Sequence, residues 1–262
     1  MPVNIDDFVR IIERIAPKEL AYDWDNSGLL LRCGDTVSRV LVALDATLEV
    51  AEEAVREGCD MLLVHHPLIF SPVRSLSHKN PTDAVLMRLI RAGISLYAAH
   101  TTFDRAQGGI NDALAQKLGL ADLRTIPGPG EELLRIGRLP GEMSRDGFVS
   151  HVKTALGLKA LRVSQSSCET VSCVGVAGGS GGDFIAAAKK EGAQALVTGE
   201  AKHHHHIEAV AQGLLLIEAG HFETEYVFVD RIFMSLQAAL NEVQLDLVLK
   251  KTKCEKVPYA IR

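Results

Sequence analysis

The chain has no Cys-x-x-Cys pair, and its five cysteines (Cys33, Cys59, Cys168, Cys173, Cys254) are odd in number and scattered. That argues against a structural zinc knuckle or a dithiol redox motif and suits reduced thiols in a cytosol. No basic cluster is present either. With 28 Lys and Arg against 33 Asp and Glu the formal net charge is -5, which leaves no electrostatic footprint for nucleic acid or an anionic membrane. No apolar run reaches the length of a membrane-spanning helix, and the first stretch, "MPVNIDDFVRIIERIA", is charged and helix-periodic rather than a basic cap before an apolar core. Low-complexity tracts and short-period repeats are also missing. A cytoplasmic protein is expected, with no membrane and no nucleic acid among its partners.

What is there is a 262-residue chain with 47% hydrophobic residues, enough for one large domain or two modest ones. "RVLVALD" (39–45), "DMLLVHH" (60–66) and "ISLYAAH" (94–100) are short, continuous apolar runs separated by helical patterns such as "LEVAEEAVREG" and "DAVLMRLIRAG". Continuous runs indicate strands covered on both faces, hence a mostly parallel sheet between helices. "SCVGVAGG" (172–179), "AQALVTGE" (193–200) and "GLLLIEAGH" (213–221) repeat the style. The fold class is α/β, with two α/β lobes around mostly parallel central sheets. Residues 1–125 are expected to form the first lobe and 171–262 the second. The Pro/Gly-rich "TIPGPGEE" opens a connecting α+β segment over 126–170.

The chemistry-bearing residues fall at the carboxyl ends of these predicted strands: His65 and His66, His100 and Asp104 in "AAHTTFD", Glu200, and His221. That edge of an open α/β sheet is where ligands bind. Adjacent side chains of a strand point to opposite faces, so His65 and His66 can share a site only because Pro67 ends the strand. Diverging rings at that point suit two metals, one for each histidine. In "GHFETE" (220–225), His221 and Glu225 are spaced to share one face of a helix, and a glutamate can bridge two ions through its two oxygens. With Asp104 the inventory is three imidazoles and two carboxylates. That set suits two divalent transition-metal ions per chain (Zn, Mn, Fe, Co or Ni) and not Ca.

Taken together and in order, "WDNSGLL", "HHPLIF", "AHTTFD", "TGEAKHHH" and "EAGHFETE" resemble the NGG-one-interacting-factor-three-like family, whose bacterial members are often named GTP cyclohydrolase I type 2 homologues. The resemblance covers nearly the whole chain. It implies a dinuclear metal site in the cleft between the two lobes, with His65 and Asp104 on one metal, His66 and His221 on the other, and Glu225 shared. It also implies a toroidal homo-hexamer, with the aromatic-bearing stretch 226–240 partly covered by a neighbour. The inserted domain of the family's longer members has no room here, and His205 and His206 lie outside the family pattern.

The function expected is a dinuclear metal-dependent hydrolase acting on a small molecule, with GTP cyclohydrolase-type opening of a purine nucleotide ring as the form the family naming suggests. The alternatives are a metal-dependent phosphoesterase and a non-enzymatic metal-binding scaffold or regulatory protein. His100 and Glu200 are the expected proton shuttles. Trp24, Asp25 and His204 are expected to line the substrate space. "GGSGGDF" (178–184) lacks the Lys and Ser/Thr of a P-loop and is read as a tight turn, while His78 and His151 are read as surface residues.

Overall fold

The continuous apolar runs do form parallel strands in the computed structural model, which describes residues 2–128, 130 and 132–260. The chain divides into two compact units, each described by itself.

The first unit comprises the residues up to Gly109 together with Phe228–Lys256. Its five-stranded sheet runs Val248–Lys251, Arg39–Ala43, Met61–Val64, Ser95–Ala98, Gly28–Leu31, with every pairing parallel except the last. Of the three inner strands, Met61–Val64 and Ser95–Ala98 are buried along their whole length, as continuous apolar runs require. Helices Leu48–Arg56 and Pro81–Ala92 pack Val50, Ala54, Val85 and Leu89 against Leu41, Leu62, Val64 and Leu96. Each helix starts on a side-chain cap: Thr47 accepts from the Val50 N–H and Asn80 from the Asp83 N–H. The helix Val227–Glu242 buries Phe228, Val229, Ile232, Leu236 and Leu240. Most of the apolar stretch expected at a subunit interface is therefore consumed within the chain, and Met234 is its exposed large side chain.

The second unit comprises Ile110–Val227 with the residues from Val257 on. Its six-stranded sheet runs Ala121–Thr125, Arg135–Ser144, Thr170–Ala177, Ala195–Thr198, Leu215–Glu218, Arg162–Val163. Period-two alternation splits the core in two. Val174, Val176, Val197 and Ile217 meet Leu114, Phe148 and Val152 in one cluster, whereas Cys173, Leu196 and Leu216 meet Ile185, Ala188 and Ala209 in the other.

Two expectations need correction. The segment 126–170 is no connector: Arg135–Ser144 and Arg162–Val163 are hydrogen-bonded strands of the second sheet, and the chain returns to the first unit at Phe228. The expected boundaries at 125 and 170 therefore do not coincide with the division. Nor is the second sheet mostly parallel, because only its three central strands run parallel and antiparallel strands flank them on both sides. Within the Pro/Gly-rich stretch, Pro129 and Glu131 lie outside the described residues. No helix among the described residues is long and apolar enough to cross a membrane.

Candidate metal centre

In the first unit, the parallel strands Arg39–Ala43, Met61–Val64 and Ser95–Ala98 end at one edge, and there they deliver Asp45, the His65–His66 pair and His100. The two adjacent histidines do not diverge as expected. The N–H groups of both donate to the Leu44 carbonyl at 3.1 Å. This tight turn leaves their ring centroids 4.7 Å apart at 54°. The candidate ligating atoms of His65, His66 and His100 all lie within 4.8 Å of one another.

The partners of these rings decide what the rings can do. His65 Nδ1 is 2.9 Å from the Ala99 carbonyl, His66 Nδ1 2.8 Å from Asp45 Oδ1, and His100 Nδ1 2.7 Å from Asp25 Oδ1. A carbonyl and a carboxylate only accept, so each Nδ1 carries the proton and donates. In neutral rings that leaves each Nε2 with its lone pair. This is the orienting pattern of metal-bound histidines. Asp104, on the short helix Thr101–Arg105, places Oδ1 3.7 Å from His65 Nε2.

"WDNSG" assembles this half of the site. The Asp25 carboxylate accepts from His100 Nδ1, from Ser27 Oγ at 2.6 Å, and from the Thr101 hydroxyl at 2.6 Å and N–H at 3.2 Å. Burial works to raise its pKa, but the hydrogen bonds from His100, Ser27 and Thr101 outweigh burial and hold it well below the usual carboxylate range. Asn26 donates to the Ile69 carbonyl at 2.5 Å, tying this loop to the one after His66. Behind Asp45, Glu255 accepts from the N–H groups of Leu44 and Asp45, yet burial pushes its carboxyl up to about 7.

In the second unit, the helix His221–Glu225 brings His221 Nε2 within 2.9 Å of Glu225 Oε2. The Glu200 carboxylate, 3.2 Å from His221 Nδ1, is positioned to orient that ring and accepts from Ser180 Oγ at 3.1 Å. The tight turn expected at "GGSGGDF" is present, and Gly179 has a site reason: at φ +58°, a Cβ there would stand 2.1 Å from Glu225 Oε1. A cavity of about 450 Å³ opens beside His221, lined among others by Arg162, Glu200, Glu218, Glu223 and Tyr259.

The "HHHH" run opens the helix His203–Ala211. His203 and His204 are exposed and His205 is buried. The candidate ligand atoms of Asp183, His204 and His205 are mutually close, but His205 is committed elsewhere. Its Nδ1 accepts from the Lys202 N–H at 3.1 Å, so its Nε2 carries the proton and donates to Asp183 Oδ1 at 3.0 Å. Neither nitrogen of that neutral ring keeps a lone pair for a metal. His206 pairs with Glu218 at 3.2 Å. Of the two residues read as surface histidines, His78 is exposed, but His151 is half-buried and donates through Nε2 to the Leu118 carbonyl at 2.9 Å.

Sequence reasoning missed Asp45 and Phe70. Asp45 could have been found as an acid at the carboxyl end of a predicted strand; Phe70, in an irregular loop, left no periodic signal.

The family model Duf34/NIF3 (NGG1p interacting factor 3) matches residues 3–258. A Clostridium perfringens protein named GTP cyclohydrolase 1 type 2 homolog is 32% identical over 96% of this chain and 98% of its own. Saccharomyces cerevisiae NGG1-interacting factor 3 is 30% identical over 98% and 97%. Among solved structures, a Staphylococcus aureus hypothetical protein superposes with a TM-score of 0.92 at 27% identity, all of both chains being covered. From the match over nearly its whole length, the chain belongs to the Duf34/NIF3 family.

Proposed function

We propose that this protein is a dinuclear metal-dependent hydrolase in which His65 and Asp104 hold one ion, His66 and His221 the other, and Glu225 bridges them. The observation that carries this reading is the common protonation of the three clustered imidazoles, each donating through Nδ1 and so keeping a lone pair on Nε2, with their candidate ligating atoms within 4.8 Å of one another. The donor set mixes imidazole nitrogen with carboxylate oxygen, which fits Zn, Mn, Fe, Co or Ni. When bound, such a pair of ions supplies Lewis-acid activation of water to hydroxide near neutral pH.

The chain's own residues supply the rest. Asp25 keeps the His100 Nε2 lone pair available to take a proton from water, Glu200 orients His221, and the cavity beside His221 offers room for substrate. The names of the bacterial relatives suggest a purine nucleotide such as GTP, opened at its imidazole ring. The family resemblance further suggests a homo-hexamer.

Elemental analysis of protein purified without chelator should give about two transition-metal ions per chain. One ion, or none, in a folded sample would sink the dinuclear reading. His66→Ala and His221→Ala should each lose one ion preferentially, while Glu225→Ala weakens both. Screening GTP beside simple phosphate esters separates ring opening from phosphoester hydrolysis, and a metal-replete protein inert toward every one would point to a scaffold instead.

A further inference from the structure

Two large aromatic side chains stand in the open beside the imidazole cluster. Trp24 is 58% exposed and Phe70 53% exposed, unusual for rings of that size. Their centroids lie 6.1 Å and 6.5 Å from that of His100 and 6.1 Å from each other. They come from separate loops, and the bond from Asn26 to the Ile69 carbonyl ties the two together one residue short of Phe70. One face of Trp24 is covered by Tyr22, stacked at 5.6 Å and 22°, with the Arg105 guanidinium over the Tyr22 ring at 4.6 Å. The indole is thus backed on one side and open on the other.

We infer that Trp24 and Phe70 form a stacking platform that selects a planar heteroaromatic ring and presents it to the imidazole cluster; this deepens the hydrolase reading by naming the substrate class. A flat π-system gains from an aromatic face irrespective of its edge groups, which suits a chain that carries no P-loop to grip phosphates. A sugar phosphate or simple phosphoester presents no π-face to such a platform.

Trp24 is the sole tryptophan of the chain, so its fluorescence reports on the platform alone. Metal-replete full-length protein is titrated with guanosine monophosphate and, separately, with ribose 5-phosphate, with correction for absorbance. Saturable quenching by the nucleotide and none by the sugar phosphate is expected. Phe70→Ala should raise the half-saturation concentration about tenfold, the usual size of one lost stacking contact. By calorimetry Trp24→Ala should weaken nucleotide binding by a similar factor and Trp24→Phe should largely restore it. Equal response to both ligands, no response to either, or indifference to Phe70→Ala would overturn the inference. Metal content is measured on each sample. Nucleotide binding by metal-replete protein that turns over no nucleotide would refute the hydrolase reading and leave the platform standing, whereas metal-dependent hydrolysis of non-aromatic esters with equal efficiency would do the reverse.

Discussion

A neutral imidazole has one lone pair, so the group touching one nitrogen decides whether the other can ligate. This separates the ten histidines of the chain better than position does. His66 is oriented by Asp45, and Asp45→Asn is expected to lower metal affinity about 10–100-fold, the usual cost of losing an orienting partner, measured by competition with a chromogenic chelator. His205→Gln, in contrast, should leave metal content unchanged, because that ring spends its lone pair on the Lys202 N–H. Loss of an ion in that variant would reverse the assignment. Phe228 is fully buried, 5.1 Å from the His65 ring and edge-on to Phe103 at 5.4 Å. Phe228→Ala should therefore cost roughly 3–5 kcal/mol in chemical denaturation, and the site beside it should loosen as well. The candidate ligands were legible in the sequence because imidazoles are few enough to stand out at strand ends. Their orientation was not: alternation predicted that His65 and His66 diverge, and nothing local reveals that two N–H groups share the Leu44 carbonyl.

At the scale of elements, continuous apolar runs between helical patterns located the parallel strands well, since burial on both faces leaves a plain compositional trace. Pairing between distant segments left none. The strand Val248–Lys251 joins Arg39–Ala43, and Arg135–Ser144 joins Thr170–Ala177, contacts that no window of sequence contains. The C-terminal strand is followed by Glu255, whose carboxyl anchors that segment to Leu44 and Asp45 and is raised by burial to about 7 from an ordinary 4.5. A folded-state pKa above the unfolded one means that the native state binds the proton more tightly. Stability from this group is thus complete below about pH 4.5 and is lost as pH rises through about 7. In Glu255→Gln, stability relative to wild type should improve by about 3 kcal/mol between those limits, read from denaturant midpoints at pH 4.5 and pH 8. A parallel pH dependence in both proteins would show that Glu255 does not titrate in this window. Asp25 has the opposite sign: its carboxyl is depressed, so its contribution is present above the ordinary value of 3.8 and disappears only in stronger acid.

For the whole molecule, imidazole must be neutral to bind metal, so metal retention should fall as pH drops through the ordinary histidine range near 6.5. Dialysis at a series of pH values followed by elemental analysis tests this, and full retention at about pH 5 would contradict a site built on three histidines. The proposed homo-hexamer should appear as six chain masses in light scattering at micromolar concentration, and a monomer would refute it. The domain boundaries were the least legible feature. A unit assembled from residues up to Gly109 and from Phe228–Lys256 is discontinuous in sequence, and composition cannot announce that a chain leaves a fold and later returns.

That return has a consequence for synthesis. Arg39–Ala43 emerges from the ribosome early, but its partner Val248–Lys251 is made about 200 residues later, which at roughly 5–20 residues per second is a wait on the order of 10–40 s. Throughout that interval the nascent chain carries an unfinished strand edge, the kind of surface that pairs with neighbours, while the intervening Ile110–Val227 is already available to fold. The segment Ile110–Val227 is therefore expected to reach its native form before the first unit, and the edge of Arg39–Ala43 stays open to other strands until Val248–Lys251 arrives.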